Sequence, residues 1–163
     1  KRGMRLAVAE SVTGGLVGAR LAAIPAAREV FAGSVVAYSN DASFKWLQIS
    51  PPNISREAVM AMANSVRKVL KTEVGLALTG ITDPIESSDI PVGTMFFGLA
   101  IGDYVDAVSA AMPGDRNRIR EYSVINLLNY LRRTLVFAER KWHNTIKNSG
   151  DRASTRGLIK SNL

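Results

Sequence analysis

Five short apolar runs of strand length punctuate this chain, and helical-period segments separate the first three of them. The runs are Arg5–Ala9, Gly33–Tyr38, Val74–Leu78, Thr94–Ile101 and Tyr104–Met112. Strands that alternate with helices are joined by crossovers, so they lie parallel with helices over the sheet. The last two runs are separated only by Gly102-Asp103, a turn pair that joins antiparallel strands. A sheet that holds both patterns is mixed, so the order of segments predicts an α/β fold, a layered sandwich with a mixed sheet.

The helical segments are bounded by recognisable signals. Gly14–Ala23 ends before Pro25, and Asn40–Leu47 is one short helix ahead of a break at Pro51-Pro52. Ser55 is a suitable N-cap for a helix to about Thr72, which places Val59, Met62, Ala63, Val66 and Leu70 on one face. Asp115 caps a last helix to about Lys141, with Ile119, Ile125, Leu128, Leu131 and Leu135 as its apolar stripe. Gly80–Pro91 is a polar loop.

Length and composition bound the function. A chain of 163 residues with 47% hydrophobic and 21% charged side chains has ordinary globular values and suits one core. It has no cysteine and one histidine, His143, so neither a thiolate nor a His-rich metal site can form, and no metal or cofactor is called for. No apolar run approaches the ~20 residues of a membrane span. Lys1-Arg2-Gly3-Met4 does not read as a signal peptide, and a cytoplasmic location is expected. Most of the net charge of +7 lies in the segment from Arg140 to Leu163, where six basic residues face only Asp151. We read residues 1–141 as the folded domain and 142–163 as a basic, solvated tail, without tertiary packing beyond about Asn148. Nucleic acid is not an expected partner.

In doubly wound sheets, ligands gather beyond the C-terminal ends of the strands. Four polar segments take that position: Glu10–Gly15, Tyr38–Asn40, Thr79–Pro84 and Pro113–Arg116. Ser11, between a strand and a helix, is either a capped turn or a hydroxyl aimed at a reacting centre. Thr13, Gly14 and Gly15 would let a ligand approach the backbone at the helix N-terminus. Asn40, Thr79 and Gly80 are the further polar and small positions at these strand ends. Asp115 and Arg116 open the last helix, and Arg116 and Arg120 share a face that could meet a phosphate. A serine nucleophile needs a base; without a histidine in the domain body, a desolvated lysine is the common substitute, and Lys45 is the lysine near Tyr38.

Taken together, AESVTGG (Ala9–Gly15), VVAYSN (Val35–Asn40), ALTGI (Ala77–Ile81), PVGT (Pro91–Thr94) and PGDRNRIR (Pro113–Arg120) resemble the CinA C-terminal family in order and spacing, over about Lys1–Leu135. The resemblance implies a three-layer α/β/α sandwich and hydrolysis of the carboxamide of nicotinamide mononucleotide, giving the nicotinate nucleotide and ammonia. It places the family's catalytic serine on Ser11 and its tyrosine on Tyr38, and a nucleotide as the small-molecule partner. A homo-oligomer, a dimer, is also expected.

Three departures stand against it. The family's lysine position holds Ser43, and Lys45, two residues on, turns away on a helix by ~200°. The family's glycine-rich loop reads GITDPIESSDI, so that Asp83, Glu86 and Asp89 would repel a phosphate. The family also has a helix before the first strand, and the chain begins at about that helix's end, so an incomplete domain is expected. Three readings follow: an amidase using Ser11, Tyr38 and Lys45; a catalytically inactive nucleotide-binding member of the family; or an oligomerising protein without a ligand.

Overall fold

The computed structural model describes residues 3–50, 54–84 and 89–149, with the side chains of the last helix described as far as Phe137. Its elements are β1 (Leu6–Glu10), α1 (Leu16–Ala22), α2 (Ala27–Val30), β2 (Phe31–Val36), α3 (Asn40–Leu47), α4 (Arg56–Val69), β3 (Val74–Gly80), β4 (Thr94–Ile101), β5 (Tyr104–Ala111) and α5 (Arg116–Ser149). All five expected strands and all four expected helices are present, and α2 is an added single turn. The expected break at Pro51-Pro52 and the tail beyond residue 149 lie outside the described residues.

The strands form one mixed sheet in the order β2-β1-β3-β4-β5. β1 runs parallel to both β2 and β3, while β3, β4 and β5 are antiparallel. Side chains alternate across the sheet, and two cores result. Leu6, Val8, Leu76, Leu78, Phe97 and Leu99 face α1 and α5. Ala7, Ala9, Ala77 and Ala100 face α4, which contributes Val59, Met62, Ala63 and Val66. These are the three layers of an α/β/α sandwich.

The α4 face of the sheet is built from small residues because the helix backbone sits directly on it. A Cβ at Gly75 would lie 1.9 Å from the Ala63 carbonyl oxygen, and one at Gly98 would lie 2.3 Å from that of Val59. On the far edge, Asp106 accepts from Arg56 at the start of α4 (2.7 Å) and from Tyr104 and Tyr130 (3.1 Å each). One carboxylate thereby ties both outer layers to β5. Burial, and then the charge of Asp106, push the Tyr130 phenol well above the ordinary tyrosine value.

Element ends differ from the sequence reading in ways that matter for the site. β2 starts at Phe31 and ends at Val36, so Tyr38 lies beyond the strand instead of closing it. β3 runs on to Gly80, which puts Thr79 within the ladder. α1 begins only at Leu16, because Gly14 and Gly15 take positive φ values of 60° and 100° and shape the turn before it. α5 passes its expected end at Lys141, since no glycine or proline interrupts the sequence between Gly114 and Gly150. Gly75→Ala should lower unfolding free energy by ~1–3 kcal/mol through overpacking, seen as a lower urea midpoint at an unchanged slope. An unchanged midpoint would mean that α4 leaves the sheet at no cost.

Candidate functional site

β1 connects to β2 on one side, while β3, its other neighbour, connects onward to β4 on the opposite side. The C-terminal ends of β1 and β3 therefore form a topological switch point, where the connections part and leave a crevice. Glu10 pairs with Val36 on one side and with Leu78 on the other, which brings Ser11, Tyr38 and Thr79 to the same edge of the sheet.

The turn that carries Ser11 is built around an internal anion. Glu10, the last residue of β1, is fully buried. Its Oε2 accepts from the Thr13 hydroxyl (2.8 Å) and from the backbone N–H groups of Gly15 (3.1 Å) and Val17 (2.9 Å). Its Oε1 accepts from Gly18 N–H (2.8 Å) and the Ser34 hydroxyl (2.7 Å). The free N–H groups and positive dipole end of α1 are thus met by a carboxylate of the chain itself. Thr13 and Gly15, expected to line a ligand, give their donors to Glu10. From the other side, Arg120 donates to the carbonyls of Val12 (3.1 Å) and Thr13 (2.9 Å). Its guanidinium also lies 3.6 Å from where a Cβ of Gly14 would be. Arg120, read from sequence as able to meet a phosphate, is therefore a clamp on the turn.

Ser11 is 7% exposed and Thr79 1% exposed. Neither hydroxyl has a hydrogen-bond partner among the described residues, yet no buried side-chain nitrogen or oxygen there lacks one. Both side chains are thus nearly enclosed at the switch point, and neither hydroxyl is bonded within the described residues. Gly80, beside Thr79, is small for a packing reason: a Cβ there would come within 2.4 Å of Met95 Sδ and 2.5 Å of the Thr94 carbonyl oxygen.

Lys45 is not brought to this site. Ser39 caps α3 through a bond from Ala42 N–H (3.2 Å), and the segment is helical from Asn40, which is itself exposed in the first turn. Two residues along a helix reverse the direction of a side chain. Ser43 is buried, with its hydroxyl 3.4 Å from the Ala37 carbonyl, whereas Lys45 faces solvent with its amine 5.3 Å from the centre of the Trp46 ring. This geometry sets Lys45 on the opposite side of α3 from Ser43.

The remaining side chains form one network across the edge. Arg116, the first residue of α5, donates through Nη2 to the Tyr38 hydroxyl (2.6 Å) and pairs through Nη1 with Asp83. The Thr82 hydroxyl donates to the same Asp83 oxygen (2.8 Å). Asp115 caps α5 by accepting from Arg118 N–H (2.9 Å). Of the two acids that organise the site, Glu10 was not singled out in the sequence, and Asp83 was read only as a charge that would repel a phosphate. For Glu10 a signal existed: an acid directly after an all-apolar strand and ahead of a helix start has few partners except that helix's N–H groups. For Asp83, nothing in the sequence named Arg116 as its partner.

These features define the class, a three-layer α/β/α domain with a mixed sheet and a polar switch-point edge. The CinA C-terminal domain model matches residues 1–135, and the chain belongs to that family. It is 38% identical over 143 residues to a CinA-like protein of Dictyoglomus turgidum, covering 83% of this chain and 35% of that protein. It is 40% identical over 142 residues to a CinA-like protein of Frankia casuarinae, covering 83% of this chain and 33% of that one. The chain thus spans about a third of the length of these curated relatives. Among solved structures, the competence or damage-inducible protein of Enterobacter asburiae superposes with a TM-score of 0.78 at 26% identity, covering 82% of this chain and 88% of that one. A CinA superfamily protein of Enterobacter cloacae gives 0.77 at 28% identity, covering 82% and 83%. Among the described residues no helix is long and apolar enough to cross a membrane.

Glu10→Gln would set an amide NH₂ among converging donors, leaving at least one buried donor without an acceptor. The expected loss is ~3 kcal/mol or more in unfolding free energy, measured by urea denaturation. A loss below ~1 kcal/mol would show that the turn holds without the carboxylate.

Proposed function

We infer that this domain binds a pyridine carboxamide of the nicotinamide mononucleotide kind at the β1–β3 switch point and hydrolyses it slowly or not at all. What supports the binding half is membership of the CinA C-terminal family together with two hydroxyls, Ser11 and Thr79, that have no partner among the described residues at the edge where such folds hold ligands. The single observation that carries the catalytic half is the pairing of a buried Ser43 with a solvent-facing Lys45.

Attack of a serine on a carboxamide requires that the hydroxyl proton be taken up as the carbon–oxygen bond forms, and that a proton reach the departing ammonia. An amine at position 43 could perform both transfers. A serine there cannot act as a base at neutral pH, and Lys45 points the other way. The Tyr38 hydroxyl is engaged by Arg116 rather than by Ser11. Ser11 thus stands as a nucleophile without a proton acceptor. The reading of a family member without any ligand loses ground, because an unpartnered pair of hydroxyls at a switch point has no evident structural task.

The test compares ammonia release from nicotinamide mononucleotide by the parent, Ser43→Lys, Lys45→Ala and Ser11→Ala proteins, with binding measured alongside by calorimetry. The parent should bind the ligand and release ammonia slowly. Ser43→Lys should raise the rate on the order of 10²-fold, Lys45→Ala should leave it unchanged, and Ser11→Ala should abolish it without loss of binding. A fast parent that Lys45→Ala silences would make Lys45 the base. Absence of binding in every variant would reduce the family resemblance to a shared fold.

A further inference from the structure

Of the arginines that open α5, only Arg116 reaches the β2 side of the edge. Arg120 is committed to the carbonyls of Val12 and Thr13, and the stem of Arg118 lies against Gly114. A ligand carrying a phosphate would look to Arg116 for a forked, charge-assisted contact. That fork is already filled. One arm holds the Asp83 carboxylate and the other the Tyr38 hydroxyl, and Thr82 fixes Asp83 in place through the same carboxylate oxygen. Arg116 and Asp83 remain partly exposed, at 44% and 48% of their side-chain surface, so the pair lies where an incoming ligand would meet it.

We propose that Asp83 is a specificity-determining residue that withholds Arg116 from phosphate and turns the site toward pyridine carboxamide ligands without one, of the nicotinamide riboside class. The inference rests on the reading of the edge as a carboxamide site. A phosphate dianion entering here must displace Asp83 from the guanidinium and then lie close to a carboxylate of like charge, with both costs falling on the phosphorylated ligand. A riboside carries a cationic pyridinium ring and no phosphate, so it meets neither cost. Because the pair is half in solvent, its effect on discrimination is modest, about tenfold.

Calorimetric titration of the parent and of Asp83→Asn with nicotinamide riboside and nicotinamide mononucleotide tests this, with Asp83→Ala as a second removal of the charge. The parent should bind the riboside at least as tightly as the mononucleotide. Either substitution should tighten mononucleotide binding by about tenfold, leave riboside binding within twofold, and make mononucleotide binding more salt-sensitive. If the parent prefers the mononucleotide, or the ratio is the same in all three proteins, the role of Asp83 is overturned while the carboxamide reading stands. If none of the proteins binds either ligand, the carboxamide reading fails and this inference fails with it.

Discussion

The five hydrogen bonds that converge on the Glu10 carboxylate are the constraint on which the rest of the edge depends. They join β1, α1 and β2 in a single buried cluster, because Thr13, Gly15, Val17, Gly18 and Ser34 all donate to it. A helix start of this kind usually attracts an external anion. Here the chain supplies its own, and the consequence is positional. With the N–H groups of α1 anchored, the Ser11–Gly14 turn has a fixed path, and Arg120 holds its outer carbonyls from α5. Ser11 is therefore placed by two charged side chains, Glu10 and Arg120, that grip the turn from opposite sides.

That placement contrasts with what surrounds it. The turn after β1 is held by Glu10 and Arg120, while among the described residues no side chain bonds the Ser11 hydroxyl. Ser43 is buried on the inner face of α3, Lys45 lies over Trp46, and the Tyr38 hydroxyl takes a hydrogen bond from Arg116. On the proposed reading, the framework of a hydrolase is intact and its proton transfer is not. The altered loop after β3 belongs to the same account. Asp83 pairs with Arg116, so on the proposed reading the guanidinium is already engaged where a phosphate would meet it.

Much of the fold was legible because its signals are local. Apolar runs bounded by glycines and prolines gave the strands, Ser55 and Asp115 marked helix starts that the structure keeps, and Gly102-Asp103 joined β4 to β5. The facing of Lys45 was legible too, since a helix from Asn40 to Leu47 sets it opposite Ser43. What failed to show in the sequence is long-range pairing. Glu10 reaches Ser34 across 24 positions, Asp83 reaches Arg116 across 33, and Arg116 reaches Tyr38 across 78. Such partners are chosen by the sheet order, which no spacing in the chain encodes. For the same reason Thr13 and Gly15 looked like ligand contacts: their donors were visible, and the buried acceptor that claims them was not.

The central claim is that Ser11 is held in place but lacks the base needed for attack. Mass spectrometry of the intact protein after incubation with nicotinamide mononucleotide tests it at the bond itself. If proton removal limits the reaction, attack is the slow step and no ester between Ser11 and the pyridine carbonyl accumulates, so the protein should keep its unmodified mass while it binds the ligand. A covalent adduct that builds up and is lost in Ser11→Ala would contradict the account, because the serine would then be attacking without a lysine.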